Sequence, residues 1–162
     1  MDISKSQGGL TLLEVMIVVA IIGVMAIIAI PNIISWLPHF RLRSAVRDIA
    51  SNMQLARLKA ISKGVEYRIV FDLDNETFQL QRGNRAESSD TWTPESEVTV
   101  LHSSVDIDHI MPGNINSGTI SKEFNPDGSS SSGSIWLDNT RGEQYKITLV
   151  PATGRIKVVK GW

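Results

Sequence analysis

Sixteen consecutive residues, Val15 to Ile30, carry no polar side chain, and extending the run back to Leu10 adds only Thr11 and Glu14. As a helix, the 21 residues from Leu10 to Ile30 span about 32 Å at about 1.5 Å per residue, which matches a hydrocarbon core of about 30 Å. The length therefore suits one membrane crossing. A secretory signal peptide would carry a more basic start, a shorter apolar stretch and a small-residue cleavage site behind it. Here the preceding MDISKSQGG sets Lys5 against Asp2, and no A-x-A pattern follows.

Glu14 is the anomaly in this run. A carboxylate at the centre of a spanning helix costs roughly 2.5 to 3.5 kcal/mol, and intramembrane ionisable groups usually meet a partner. Near the start of the helix the cost is smaller, and the helix dipole favours an acid there. Two readings stay open on physics alone: an interfacial acid at a helix N-terminus, or an acid waiting for a partner.

The run GLTLLE, Gly9 to Glu14, followed by an apolar helix and then Pro31, resembles the signal of type IV pilins and type II secretion pseudopilins, whose usual form is GFTLIE. The resemblance implies a leader, residues 1–9, removed by a prepilin peptidase between Gly9 and Leu10. It also implies methylation of the new N-terminus at Leu10. Glu14, fifth in the mature chain, would then pair with the N-terminal amine of a neighbouring subunit during assembly. An ammonium and a carboxylate attract strongly where water is excluded, whereas either alone is penalised. Leu10 departs from the family's phenylalanine. Pro31, which would end or kink an isolated helix, becomes by the same resemblance a kink inside one long helix, with Pro38 as a second candidate.

Beyond Pro38 a helical stripe is legible. Leu42, Val46, Ile49, Met53, Ala56 and Ala60 recur at intervals of three and four, while Arg43, Arg47, Ser51, Gln54 and Arg57 fall on other faces. The expected helix covers 10–63, transmembrane over about 10–34 and amphipathic over about 40–63, with Gly64 as its stop. From there the period changes to two. Candidate strands are 65–71, 77–81, 97–101, 105–110, 118–124, 134–138, 145–150 and 155–159, separated by turns such as NPDG, NTRG and PATG that end in glycine. The stretches 82–97 and 129–134 are polar and read as surface loops. The expected fold class is α+β: a long N-terminal helix, then an antiparallel β domain over 64–162, arranged as a two-sheet sandwich.

The order FNPDG, then I-x-L (Ile135 to Leu137), Y-x-I-x-L (Tyr145 to Leu149) and GRIKV (Gly154 to Val158) resembles the GspH/FimT group of minor pilins and pseudopilins. Some members take up DNA and carry G-R-x-R at this place. Here the residues are Gly154, Arg155, Ile156 and Lys157, with Lys160 nearby, so that Arg155, Lys157 and Lys160 are candidate phosphate contacts. Alternation puts Arg155, Lys157 and Val159 on one strand face and Lys160 on the other unless the terminus bends; solvated charges on a strand edge are the better explanation, and the net charge of −1 advertises no polyanion.

Other chemistry is not supported. The chain has no cysteine, which removes disulfides, thiolate metal sites and cysteine nucleophiles. His39, His102 and His109 sit in no catalytic context, and no phosphate loop, dinucleotide fingerprint or zinc spacing occurs. Asp72 and Asp74 read as an acidic turn rather than a calcium loop. The expectation is a non-enzymatic minor subunit of a secretion pseudopilus, or alternatively of a type IV pilus. It needs no cofactor or metal, and its expected partners are prepilin peptidase, other pilins and an inner-membrane assembly platform. It would sit in the bacterial inner membrane as a single pass with its C-terminal domain in the periplasm. One observation opposes that orientation: Arg41, Arg43 and Arg47 follow the span, and the positive-inside rule would hold them in the cytoplasm.

Overall fold

A computed structural model describes residues 11–161, with the side chains of 28–35 outside the description. The predicted leader, residues 1–9, and the predicted cleavage and methylation positions, Gly9 and Leu10, lie outside the described residues. A single helix, α1, covers Leu12–Lys63, so the backbone stays helical at positions 31 and 38. The kink expected at Pro31 falls where side chains are not described. Among the described residues no helix is long and apolar enough to cross a membrane; the predicted span over 10–34 includes residues outside the description.

The chain divides into two units, 1–37 and 38–162. In the first, the described side chains from Leu12 to Ile27 are exposed on all sides of the helix, apart from a half-buried Ala26. In the second, the stripe read from the sequence is the buried face: Leu42, Val46, Ile49, Met53, Ala56 and Ala60 are each at most 2% exposed. The opposite face keeps Leu55, Leu58 and Ile61 in solvent.

Among the described residues nine strands follow: β1 Tyr67–Asp72, β2 Thr77–Gly83, β3 Trp92–Pro94, β4 Thr99–Val100, β5 Val105–Met111, β6 Thr119–Phe124, β7 Gly133–Asn139, β8 Gln144–Val150 and β9 Arg155–Lys160. They form two antiparallel sheets. One runs β3-β2-β1-β6, with β4 also on β2, and the other runs β5-β7-β8-β9. Alternation places Tyr67, Ile69 and Phe71 of β1, and Ile135, Leu137, Ile147 and Leu149 of β7 and β8, in one core with the helix stripe. Burying each such side chain contributes about 1.5–3 kcal/mol, so this shared core is the main force closing both sheets on the helix.

Two loop readings need correction. The polar stretch 82–97 contains β3, whose Thr93 and Pro94 pair with Arg82 and Gln81, and Arg68 lies over the Trp92 ring at 4.1 Å. The predicted strand 97–101 shrinks to Thr99–Val100. The serine-rich stretch 129–134 is not a free surface loop either. Ser130 and Ser134 are buried, the Ser131 N–H donates to the Glu123 carbonyl at 2.9 Å, and β7 already begins at Gly133.

Candidate assembly end and the C-terminal basic strand

Thr11 stands immediately before α1, and the Glu14 N–H donates to both its hydroxyl, at 3.2 Å, and its carbonyl, at 3.1 Å. This is the threonine half of a T-x-x-E capping box, which satisfies a helix-terminal donor and is worth about 1 kcal/mol. Thr11 was not singled out from the sequence, although the four-residue spacing was there to be read. Glu14 is exposed in the first turn, and among the described residues it enters no ion pair. The cap fixes the backbone and leaves the carboxylate on the surface.

At the other end of the chain, β9 is the edge of its sheet and pairs only with β8, with Tyr145 opposite Lys160, Ile147 opposite Val158 and Leu149 opposite Ile156. Arg155 and Lys157 project from one face, exposed, whereas Lys160 belongs to the other face, on the side of buried Ile147 and Leu149. Its ammonium lies 3.8 Å from Glu143. The same carboxylate contacts the His39 Nδ1 at 3.1 Å and accepts from the Asn139 amide at 2.8 Å. The Asn139 hydrogen bond, with His39 and Lys160 nearby, holds Glu143 below the usual carboxylate range. The three predicted phosphate contacts therefore do not converge. Arg155 and Lys157 form a pair, and Lys160 is drawn into a local charge network.

The glycine before Arg155 has a structural task. Gly154 adopts φ 56°, and a Cβ there would strike the Gly128 carbonyl and the Arg57 side chain. The Arg57 Nε donates to that same carbonyl at 3.1 Å. The turns NPDG and PATG thus meet on a helix arginine, which gives a packing reason for two glycines in the C-terminal pattern.

A carboxylate cluster was invisible in the sequence because its members come from three elements. Glu76, in the β1–β2 turn, accepts from the Ile107 N–H at 2.9 Å and faces Asp106 of β5 and Asp138 of β7. β5 carries a register shift between Asp106 and His109 at this point. Burial first, then a hydrogen bond with Asp106 and the charges of Asp106 and Asp138, raise Glu76 from 4.5 to about 8. Burial and the neighbouring Asp108 and Asp106 also raise Asp138. A raised acid pKa means that the folded chain binds the proton more tightly, so this stability is present below about pH 4.5 and is lost as pH rises through about 8. Glu76→Gln is therefore expected to melt at a nearly unchanged temperature from pH 5 to pH 9 where the parent falls, which a thermal-melt series across that range would check.

Among the described residues no three His, Asp or Glu side chains are placed to hold a metal ion. The Asp72 carboxylate is spent on its own turn, accepting from the Asp74 and Asn75 N–H groups.

Residues 4–30 match the prokaryotic N-terminal methylation motif, and residues 45–153 match the family "Type II transport protein GspH". The type IV major pilin protein PilA of Myxococcus xanthus is 42% identical over 78 residues, 48% of this chain and 34% of that protein. A fimbrial protein of Pseudomonas aeruginosa is 42% identical over 62 residues, 38% of this chain and 40% of that protein. The chain thus spans about a third to two-fifths of these relatives. The minor pseudopilin EpsH from the type 2 secretion system of Vibrio cholerae shares the fold with a TM-score of 0.57 at 13% identity, over 74% of this chain and 97% of that one. Escherichia coli GspH does so with a TM-score of 0.58 at 17% identity, over 75% and 89%. The helix followed by two antiparallel sheets is the fold of these pseudopilins, and the domain match covers about two-thirds of the sequence; the chain belongs to the type II transport protein GspH family of type IV pilin-like proteins.

Proposed function

We propose that this protein is a minor subunit of a type II secretion pseudopilus that supports protein export across the outer membrane. The observation that carries the reading is the GspH match over residues 45–153. A prepilin peptidase removes residues 1–9, Leu10 is methylated, and the subunit joins other pilins or pseudopilins on an inner-membrane platform. Its role is structural, without catalysis, cofactor or metal.

Two features of the helix support this reading. Apart from Glu14, the described helical side chains from Leu12 to Ile27 are apolar or small, and all but Ala26 are exposed, which suits first a lipid environment and then a bundle of like helices. Its second unit keeps Leu55, Leu58 and Ile61 exposed opposite the core, a surface suited to neighbouring subunits.

Arg41, Arg43 and Arg47 oppose this orientation by the positive-inside rule, while the length of the C-terminal domain favours its translocation, because long domains cross largely regardless of charge. A periplasmic C-terminal domain with a single-pass anchor is therefore kept as the proposed arrangement.

A type IV pilus role, with DNA held by Arg155 and Lys157, is the second reading. The pilin relatives and the exposure of those two side chains favour it, whereas the diversion of Lys160 to Glu143 weakens it. Disrupting the gene in its host separates the two. The secretion reading expects exported proteins to accumulate in the periplasm with pili intact; normal export with lost piliation or DNA uptake would replace it with the pilus reading.

A further inference from the structure

Among the described residues, two of the four outer sheet edges are closed by hydrogen bonds and a third is short. The free edge of β6 is closed by Ser131, whose N–H bonds the Glu123 carbonyl, and by a bridge from Phe124 to Ser130. The outer edge of β5 is closed by a bridge from Ile110 to Ile115 and by the Glu76 carboxylate on the Ile107 N–H. On the far side of β2, the sheet ends in strands of three and two residues. Among the described residues β9, six residues long, is left open, and an open edge of that length is normally blunted or used.

The register shows what β9 offers. The Gly161 N–H donates to the Gln144 carbonyl at 2.7 Å. Alternation along an antiparallel pair then turns the backbone groups of Val159, Lys157 and Arg155 toward β8 and those of Lys160, Val158 and Ile156 outward. Beside that open row lies a groove of about 420 Å³ between α1 and the strand, lined by Arg43, Val46, Arg47, Ser51, Tyr145 and Val158 among others. Val158 and Val159 are each 43% exposed.

We propose that β9 and this groove form a docking site that takes an extended acidic segment of a partner protein as an added strand. Charge selects the occupant. β9 carries Arg155 and Lys157 on one face and no acid, its third cation, Lys160, is drawn to Glu143, and the groove adds Arg43 and Arg47 on the other face. A strand laid on β9 would therefore meet cations from both faces. Acidic residues directly across from them are favoured and basic ones disfavoured. A second copy of β9 would bring like charges together, so self-pairing is opposed. Outward N–H and C=O groups supply affinity that any strand can use, while the cations supply the specificity. This inference does not depend on whether the subunit serves a secretion pseudopilus or a pilus.

The test uses the full chain purified in neutral detergent and short fluorescent peptides alternating valine with glutamate or with lysine. The acidic peptide is expected to bind at least roughly tenfold more tightly than the basic one, by anisotropy at low salt. N-methylation of its alternate amides, which removes the strand-pairing donors, should abolish binding to the unaltered protein. Val158→Pro removes an outward N–H that β8 does not use, a position where an edge strand tolerates proline. It should lose binding roughly tenfold or more at a melting temperature within a few degrees of the parent. Arg43→Gln with Arg47→Gln should reduce the preference between the two peptides, and adding Arg155→Gln with Lys157→Gln should erase it. Equal affinity for both peptides, or full binding by the N-methylated peptide, would overturn the proposal. So would an oligonucleotide that displaces the acidic peptide and binds Val158→Pro undiminished, which would mark a general anion patch. A concentration-dependent dimer abolished by Val158→Pro would overturn it in favour of a second copy.

Discussion

Glu14→Ala is expected to be inserted and processed normally, yet to enter fibres roughly a hundredfold less well than the parent. In the assembled state Glu14 would face the amine of a neighbouring Leu10 in a helix bundle from which water is excluded. Removing one partner of such a pair leaves the other charge uncompensated, at a cost of about 3–5 kcal/mol, and about 1.4 kcal/mol is a factor of ten. The cap itself survives, because Thr11 bonds the Glu14 N–H and not its side chain. Helix start and assembly contact are thus separable, and Glu14→Gln, which keeps a polar group but not the charge, should fall between. Quantifying the subunit in sheared fibres against the membrane fraction checks this; incorporation of Glu14→Ala at the parent level would remove the pairing role.

Gly133→Ala is the second large effect, and it acts on the fold. Gly133 opens β7 at φ 142°, and a Cβ there would collide with the Met111 carbonyl and the Lys122 ammonium. That ammonium is the more telling neighbour. Lys122 is 2% exposed, donates to the Met111 carbonyl at 2.9 Å and to the Ser132 carbonyl at 3.1 Å, and is held below its ordinary pKa by burial. A methyl group wedged into this arrangement forces a backbone shift and strands a buried charge. Backbone strain and broken buried contacts together give about 3 kcal/mol or more, or a melting temperature lower by roughly 6–12 °C for a chain of this size. Calorimetry of the purified variant provides the check, and a loss of a degree or less would show that the lysine and the β7 backbone relax freely.

The parts of this protein that could be read from the sequence are those that repeat. The stripe from Leu42 to Ala60 announced a helix buried on one face because its period is that of a helix, and most strands were found because their apolar residues alternate. The parts that escaped depend on a partner far away in the chain. β3 is three residues in a polar stretch, made a strand by Arg82 and Gln81 across from it and by Arg68 over the Trp92 ring. Lys122 looks like an ordinary surface lysine until carbonyls from two other segments close over it. Glu76, Asp106 and Asp138 become a cluster only when the β1–β2 turn reaches β5 and β7. For the candidate sites the balance was similar. The signal around Glu14 was legible because all of it is local, and alternation already set Lys160 on the face opposite Arg155 and Lys157; what linear spacing could not show is that Lys160 lies beside Glu143.

If residues 1–9 are a leader, the functional chain begins at Leu10. Intact-mass measurement of the protein, extracted from membranes of cells that carry a prepilin peptidase, tests it directly. The expected mass is that of a chain starting at Leu10 with one added methyl group on its N-terminus, shifting to the uncut mass when Gly9 is replaced. A mass that retains Met1 to Gly9 in peptidase-positive cells would contradict it.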